Sequence, residues 1–264
     1  MKRLSINFDR FDRRQTEVTQ IEQERKHILG PESDFFMREA YKTLRTNVSF
    51  ALADEEKCKT VIITSAMKSE GKSATAINLA ISYAEMNRRV LLMDCDLRRP
   101  KIARLLDAQT RTGLSNLLVD PELCGEAILT WGTPNLHVLL SGDVPPNPSE
   151  LLASSRFKRL MEKLRENYDY ILLDTSPVNV VTDACVLVPE STGVLFAVRA
   201  GFSDRNAVRH AIEQLEYSKA KILGFVLNGV EPEKSGYGYR YGRYRRSSYA
   251  SYQSYESPSE REGS

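Results

Sequence analysis

Histidine, cysteine and tryptophan are scarce in this chain of 264 residues, numbering three, four and one. Cys58, Cys95, Cys124 and Cys185 are widely spaced, with no C-x-x-C pair and no histidine at metal-ligand spacing. That excludes a zinc module and a disulfide scaffold, and fits reduced thiols in a cytosol. His27, His137 and His210 are equally scattered, so a histidine-based metal or catalytic cluster has no support. An excess of one charge is also missing. Against 37 Lys and Arg stand 35 Asp and Glu, so bulk charge draws the chain neither to nucleic acid nor to a membrane surface. No apolar run is long enough to cross a bilayer, and residues 1–14 are too charged for a secretory signal. The expectation is a soluble protein, or one that docks on a membrane through a partner.

A hydrophobic content of 41% suffices for one sizeable core, which gives one domain with tails. Residues 1–33, rich in Arg, Asp, Glu and Gln, read as a flexible arm. From Asp34 the pattern turns helical, with Phe35, Phe36, Ala40, Leu44, Val48 and Leu52 on one side and Ser33 as the expected N-cap. The polar side carries Glu39, Lys42 and Arg45. By spacing these read as a solvated face with weak i,i+3 pairing, the alternative being a subunit interface.

Residues 60–75 organise the rest. An apolar, β-branched run at 60–65 predicts a strand, 66–71 a loop, and 74–86 a buried helix. Within them Ala66-Met67-Lys68-Ser69-Glu70-Gly71-Lys72-Ser73 has phosphate-loop spacing, with alanine in place of the first glycine. Backbone N–H groups from Met67 to Ala74 and the positive helix N-terminus suit a polyphosphate. Lys72 is placed to reach the β- and γ-phosphates, and the Ser73 hydroxyl to take a Mg²⁺ position. Gly71 lets the backbone come close.

Next comes the strand Val90-Leu-Leu-Met-Asp94-Cys-Asp96-Leu-Arg98-Arg99, whose carboxylates fall two residues apart and so on one side. In an open parallel sheet ligands sit beyond the carboxyl ends of the strands, where two acids can hold hydrated Mg²⁺ or accept a proton from an attacking hydroxyl. Arg98 and Arg99 follow as phosphate contacts or surface arginines. A second buried strand, at 168–174, ends in Asp174, an acid in the position that holds the metal through water in phosphate-loop enzymes. Short helices are expected over 101–135, a strand at 136–140, a proline-rich loop at 141–148 and an amphipathic helix at 149–166. Strands at 193–198 and 222–227 flank a helix at 204–217 capped by Ser203. Thr182 and Asp183 read as a helix cap. Alternation of strand and helix predicts a mostly parallel central sheet with helices on both faces.

The end of the chain changes character. Seven of the twelve tyrosines, Tyr237, Tyr239, Tyr241, Tyr244, Tyr249, Tyr252 and Tyr255, fall within nineteen residues among Gly, Ser and Arg. Residues 231–264 have no periodicity and almost no aliphatics, so they read as disordered. A low-complexity tail and a single-strand RNA binder are two readings. A third follows from geometry: the last strand ends at the ligand edge, and roughly 60 Å of extended chain reaches its own site or a neighbour's.

Taken together, the loop through Ser73, the strands ending at Asp94-Cys-Asp96-Leu-Arg98 and Asp174-Thr-Ser-Pro, the motif Glu39-Ala-Tyr-Lys42-Thr-Leu-Arg45 and the tyrosine tail resemble the bacterial tyrosine autokinases (BY-kinases) of capsule and exopolysaccharide export. The match covers about residues 34–230 plus the tail. The resemblance implies a phosphate-loop fold and transfer of the γ-phosphate of Mg·ATP to tail tyrosines, mainly between subunits. It assigns Lys72 to transferring phosphoryl charge, Ser73, Asp96 and Asp174 to Mg²⁺, and Asp94 to the tyrosine proton. The residues alone leave Asp94 and Asp96 interchangeable. It also implies a ring such as an octamer when unphosphorylated, with Glu39, Lys42 and Arg45 at its contact. There Lys42 stands in place of arginine and cannot form a bidentate fork. A membrane-anchored activator protein and a tyrosine phosphatase are the further partners implied, with no nucleic acid. The location is cytoplasmic, at the inner face of the cell membrane. A partitioning or division-site ATPase is the alternative, but those proteins carry a lysine where this chain has Met67.

Overall fold

A computed structural model describes residues 21–55 and 57–230. The tyrosines of the tail lie outside the described residues, as do residues 1–20. The described residues up to Asn228 form one unit.

Seven strands form one sheet in the order β3-β4-β2-β5-β1-β6-β7. They are β1 (Lys59–Ser65), β2 (Val90–Asp94), β3 (Ile128–Thr130), β4 (Leu136–Leu139), β5 (Tyr170–Asp174), β6 (Gly193–Arg199) and β7 (Ile222–Asn228). All pairings are parallel except β3 with β4 at one edge. The antiparallel β3 was not anticipated. Three residues, none of them buried, carry no readable alternation.

Period-two alternation on the central strands builds two cores. Ile62, Leu91, Met93, Ile171, Leu173 and Phe196 face one layer, while Val61, Ile63, Leu92, Leu172 and Leu195 face the other. Each such side chain contributes about 1.5–3 kcal/mol on burial, which makes the sheet a rigid mount for its strand ends. One layer contains α1 (Phe35–Ala51) and α2 (Lys72–Ala84), and the chain next forms α3 (Ile102–Leu106), α4 (Leu114–Val119) and α5 (Cys124–Ala127). Then follow α6 (Pro148–Leu152), α7 (Ser155–Arg165), α8 (Asp183–Leu187) and α9 (Arg205–Tyr217).

Several local expectations change. The helix expected at 149–166 is two, because the Ser154 hydroxyl caps a new start by accepting from Phe157 N at 3.2 Å. Asp204, not Ser203, caps α9, accepting from Ala207 N at 2.8 Å. Ser33 is not the cap of α1 either: Asp34 holds that position, and Ser33 Oγ accepts from Gly30 N instead. The helix α2 starts at Lys72 rather than Ala74. Residues 21–33, read as part of a loose arm, carry Leu29 into the core.

Candidate active site

The phosphate loop leaves β1 at Ser65 and turns into α2 at Gly71. Gly71 has φ 92°, and a Cβ there would lie 2.5 Å from the Asn228 amide nitrogen, so both conformation and space require glycine. Asn228, the last residue of β7, donates to the Glu70 carbonyl at 2.9 Å and to Thr75 Oγ1 at 3.2 Å. Glu70 is fully buried, accepting from Met67 N at 2.7 Å and from Ser203 Oγ. Arg199 Nη1 donates to the Ser69 carbonyl at 3.2 Å. The loop's shape is therefore set from its outer side by β6, β7 and the turn before α9. Ser69 adopts φ 64°, a left-handed conformation unfavourable for a residue with a Cβ. Of the loop residues read as nucleotide contacts, Met67, Lys68 and Ser69 are exposed, Gly71 and Ala74 half-buried, and Glu70, Lys72 and Ser73 buried. The first N–H groups of α2, from Lys72 through Ala74, have no partner within the helix and form an anion seat.

Strand register brings the acids to that seat. Asp94 and Asp174 are directly opposed on β2 and β5, and Asp174 is also opposite Ile63 of β1. Lys72 Nζ lies 3.2 Å from Asp96 Oδ2 and 3.5 Å from Asp174 Oδ1. Burial pulls the Lys72 pKa down, but Asp174, Asp96 and Asp94 more than offset this, so the ammonium is held charged. Asp94 is not on the same footing as Asp96. Its Oδ1 accepts from Asp96 N and its Oδ2 from Ile102 N, each at 3.2 Å. Burial and the nearby Asp174 charge push its pKa up to about 8. Asp96, just past the end of β2, accepts from Ser176 Oγ at 2.7 Å and Arg99 N at 3.1 Å.

Asp174 is fully buried, and no backbone N–H donates to either carboxylate oxygen, whose neighbours are the Lys72 ammonium and the Ser73 hydroxyl. Burial raises its pKa, and the Lys72 charge opposes that shift. Oxygens left in this state beside a serine hydroxyl fit a hydrated Mg²⁺. Among the described residues no group of three or more His, Cys, Asp or Glu is arranged to hold a metal by itself.

Around the site, Arg98 is a structural clasp rather than a free phosphate contact. Its guanidinium donates to Asp183 Oδ2 at 3.2 Å and Ser149 Oγ at 2.9 Å, and Ser149 donates to Asp183 Oδ1 at 2.6 Å. Thr182 holds the N-cap position of α8 as expected but makes no capping bond through its side chain, and Asp183 is the first residue of the helix. Arg99 is exposed. On α1, Lys42 pairs with Glu39 at 2.7 Å, whereas Arg45 turns inward to the Ser82 carbonyl at 2.6 Å. The residues that sequence reasoning missed are Glu70 in its bracing role, Arg199, Ser203 and Asn228. Arg199 and Asn228 carried a usable signal: each is a polar residue ending a strand at the ligand edge.

Comparison with known proteins places the chain among relatives. Residues 58–200 match the family model described as AAA domain. The tyrosine-protein kinase YwqD of Bacillus subtilis is 37% identical over 220 residues, 83% of this chain and 92% of the relative. The tyrosine-protein kinase CpsD of Streptococcus agalactiae is 37% identical over 207 residues, 78% of this chain and 89% of the relative. Among solved structures, the kinase domain of the Escherichia coli tyrosine kinase ETK superposes with a TM-score of 0.71 at 33% identity, covering 75% of this chain and 78% of that one. With its phosphate loop, buried lysine and strand-end acids, the chain belongs to the bacterial tyrosine-protein kinases.

Proposed function

We propose that this kinase binds Mg·ATP at the phosphate loop and transfers the γ-phosphate to Tyr237, Tyr239, Tyr241, Tyr244, Tyr249, Tyr252 and Tyr255, with one subunit serving another. One observation carries the reading. Lys72, Asp94, Asp96 and Asp174 converge at one sheet edge, against a loop braced by Asn228, and Tyr237 follows Asn228 by only nine residues.

Lys72 neutralises charge on the transferring phosphoryl group, and the N–H groups of α2 hold the polyphosphate. Asp94 takes the proton of the attacking tyrosine hydroxyl. Its two backbone bonds keep the carboxylate pointed, and a raised pKa brings it closer to that of the phenol it must deprotonate. Ser73, Asp96 and Asp174 would hold Mg²⁺, which supplies charge neutralisation on the phosphates when bound. Glu39, Lys42 and Arg45 contribute to a ring of subunits, an octamer for instance, with Lys42 exposed, Glu39 half-buried beside it and Arg45 fixing α1 on α2. A membrane-anchored activator protein would hold the kinase at the inner face of the cell membrane. A tyrosine phosphatase would reverse the modification, and capsule or exopolysaccharide synthesis would be the process regulated.

The test is a mixing experiment. Lys72→Met protein should form no phosphotyrosine with Mg·ATP alone, a loss of roughly a thousandfold or more if Lys72 carries the electrostatic stabilisation. It should gain tail phosphotyrosine when mixed with the active chain. ATP hydrolysis without phosphotyrosine would return the ATPase alternative, and an unmodified Lys72→Met tail after mixing would rule out transfer between subunits.

A further inference from the structure

Residues 24–29 run between the helix that begins the nucleotide seat and the short helix that steadies Asp94. At one end Leu29 enters the core, and the buried Asn78 of α2 fixes the backbone twice. Its Oδ1 accepts from Leu29 N and its Nδ2 donates to the His27 carbonyl, both at 2.7 Å. At the other end Lys101 Nζ donates to both carboxylate oxygens of Glu24, at 3.0 and 3.1 Å. Arg25 Nε donates to the Arg104 carbonyl at 2.7 Å, and its Nη2 to Asp107 Oδ1 at 2.8 Å.

Lys101 and Asp107 are the two caps of α3. A helix of five residues has little stability of its own and sits where tertiary contacts put it. Its first N–H, that of Ile102, is one of the two donors that hold the Asp94 carboxylate. Arg38 of α1 adds a hold further along, donating to the carbonyls of Gly30 and Pro31.

We infer that Glu24 and Arg25 are positioning residues for phosphoryl transfer, acting as a strap that sets α3 against α2 and so aims Asp94. The inference rests on the reading of Asp94 as the proton acceptor. The ion pairs at Lys101 and Asp107 are partly exposed and add little to stability, so the effect is on geometry. A small displacement of one reacting group is enough to lower a rate by an order of magnitude or more.

A charge swap in the full chain tests this. Glu24→Lys and Lys101→Glu should each lower kcat for phosphotyrosine formation by about five- to tenfold. KM for ATP and Tm should be unchanged, and amide exchange at Ile102 faster. The double variant Glu24→Lys/Lys101→Glu should restore kcat to within about twofold and slow the exchange again. Arg25→Ala should behave like the single reversals. Singles with wild-type kcat, or a loss that the swap does not repair, would overturn the strap. If Asp94→Asn keeps the wild-type rate, the base reading fails alone, and Ile102 exchange in the singles and the swap still decides whether the strap holds α3.

Discussion

The ends of β2 and β5 are adjacent, parallel and buried to the same degree, yet their two aspartates are treated in opposite ways. Asp94 has a backbone N–H on each oxygen, while Asp174 has one on neither and faces only the side chains of Lys72 and Ser73. A buried carboxylate without backbone donors costs several kcal/mol unless a charge offsets it, and here Lys72 at 3.5 Å is the nearby cation. The fold has thus spent its donors on the acid whose direction matters and left open the acid that suits an incoming ligand. Asp96 lies between these extremes, one oxygen on Ser176 and Arg99 and the other on Lys72.

The sharpest way to break the comparison is kinetic. Asp94→Asn should lower kcat by about 10²–10⁴ while leaving nucleotide affinity close to wild type, as expected for a proton acceptor. Asp174→Asn should instead weaken Mg²⁺-dependent nucleotide binding, read by titration with and without Mg²⁺. Two variants with the same kinetic signature would mean that the two strand ends share one role.

Stability gives a second, smaller contrast. In Asp94→Asn one of the two N–H groups would face an amide donor, a cost of about 1–3 kcal/mol. For a domain of this size that lowers Tm by roughly 2–4 °C for each kcal/mol. Asp174→Asn in nucleotide-free protein should move Tm the other way by about 1 kcal/mol, because a desolvated charge is removed and Lys72 keeps Asp96. Thermal unfolding of the two variants side by side reads the signs.

Much of this site was legible in the sequence, for reasons that lie in its strands. Apolar runs ending in Asp94 and Asp174 could only be buried parallel strands, and parallel strands bring their ends to one edge. Gly71-Lys72-Ser73 between a strand and a helix left few other readings. What was not legible depended on partners far along the chain. Glu70 reads as a loop carboxylate until Ser203, 133 residues later, donates to it. Arg98 reads as a surface cation until Ser149 and Asp183 surround it. Residues 21–33 looked too polar to fold because their order comes from Asn78 and Leu29, not from composition. The break at Ser154 is a local capping preference that a continuous amphipathic pattern concealed.

The smallest effect should come from Asp96, and it decides on which side of the comparison that residue falls. Ser176→Ala removes the hydroxyl that donates to Asp96 Oδ1 at 2.7 Å but leaves the Arg99 N–H and the Lys72 contact. A hydrogen bond to a charged acceptor is worth about 1.5–3 kcal/mol, and retention of the other two partners should hold the loss near the lower end. If Asp96 acts with Asp174, the loosened carboxylate should raise the Mg²⁺ concentration needed for half-maximal rate a few-fold, with kcat at saturating Mg²⁺ nearly unchanged. If it acts with Asp94, kcat should fall at every Mg²⁺ concentration. Positions explain why the first result is expected: Asp96 touches the lysine that also faces Asp174, whereas it meets Asp94 only through its own backbone N–H.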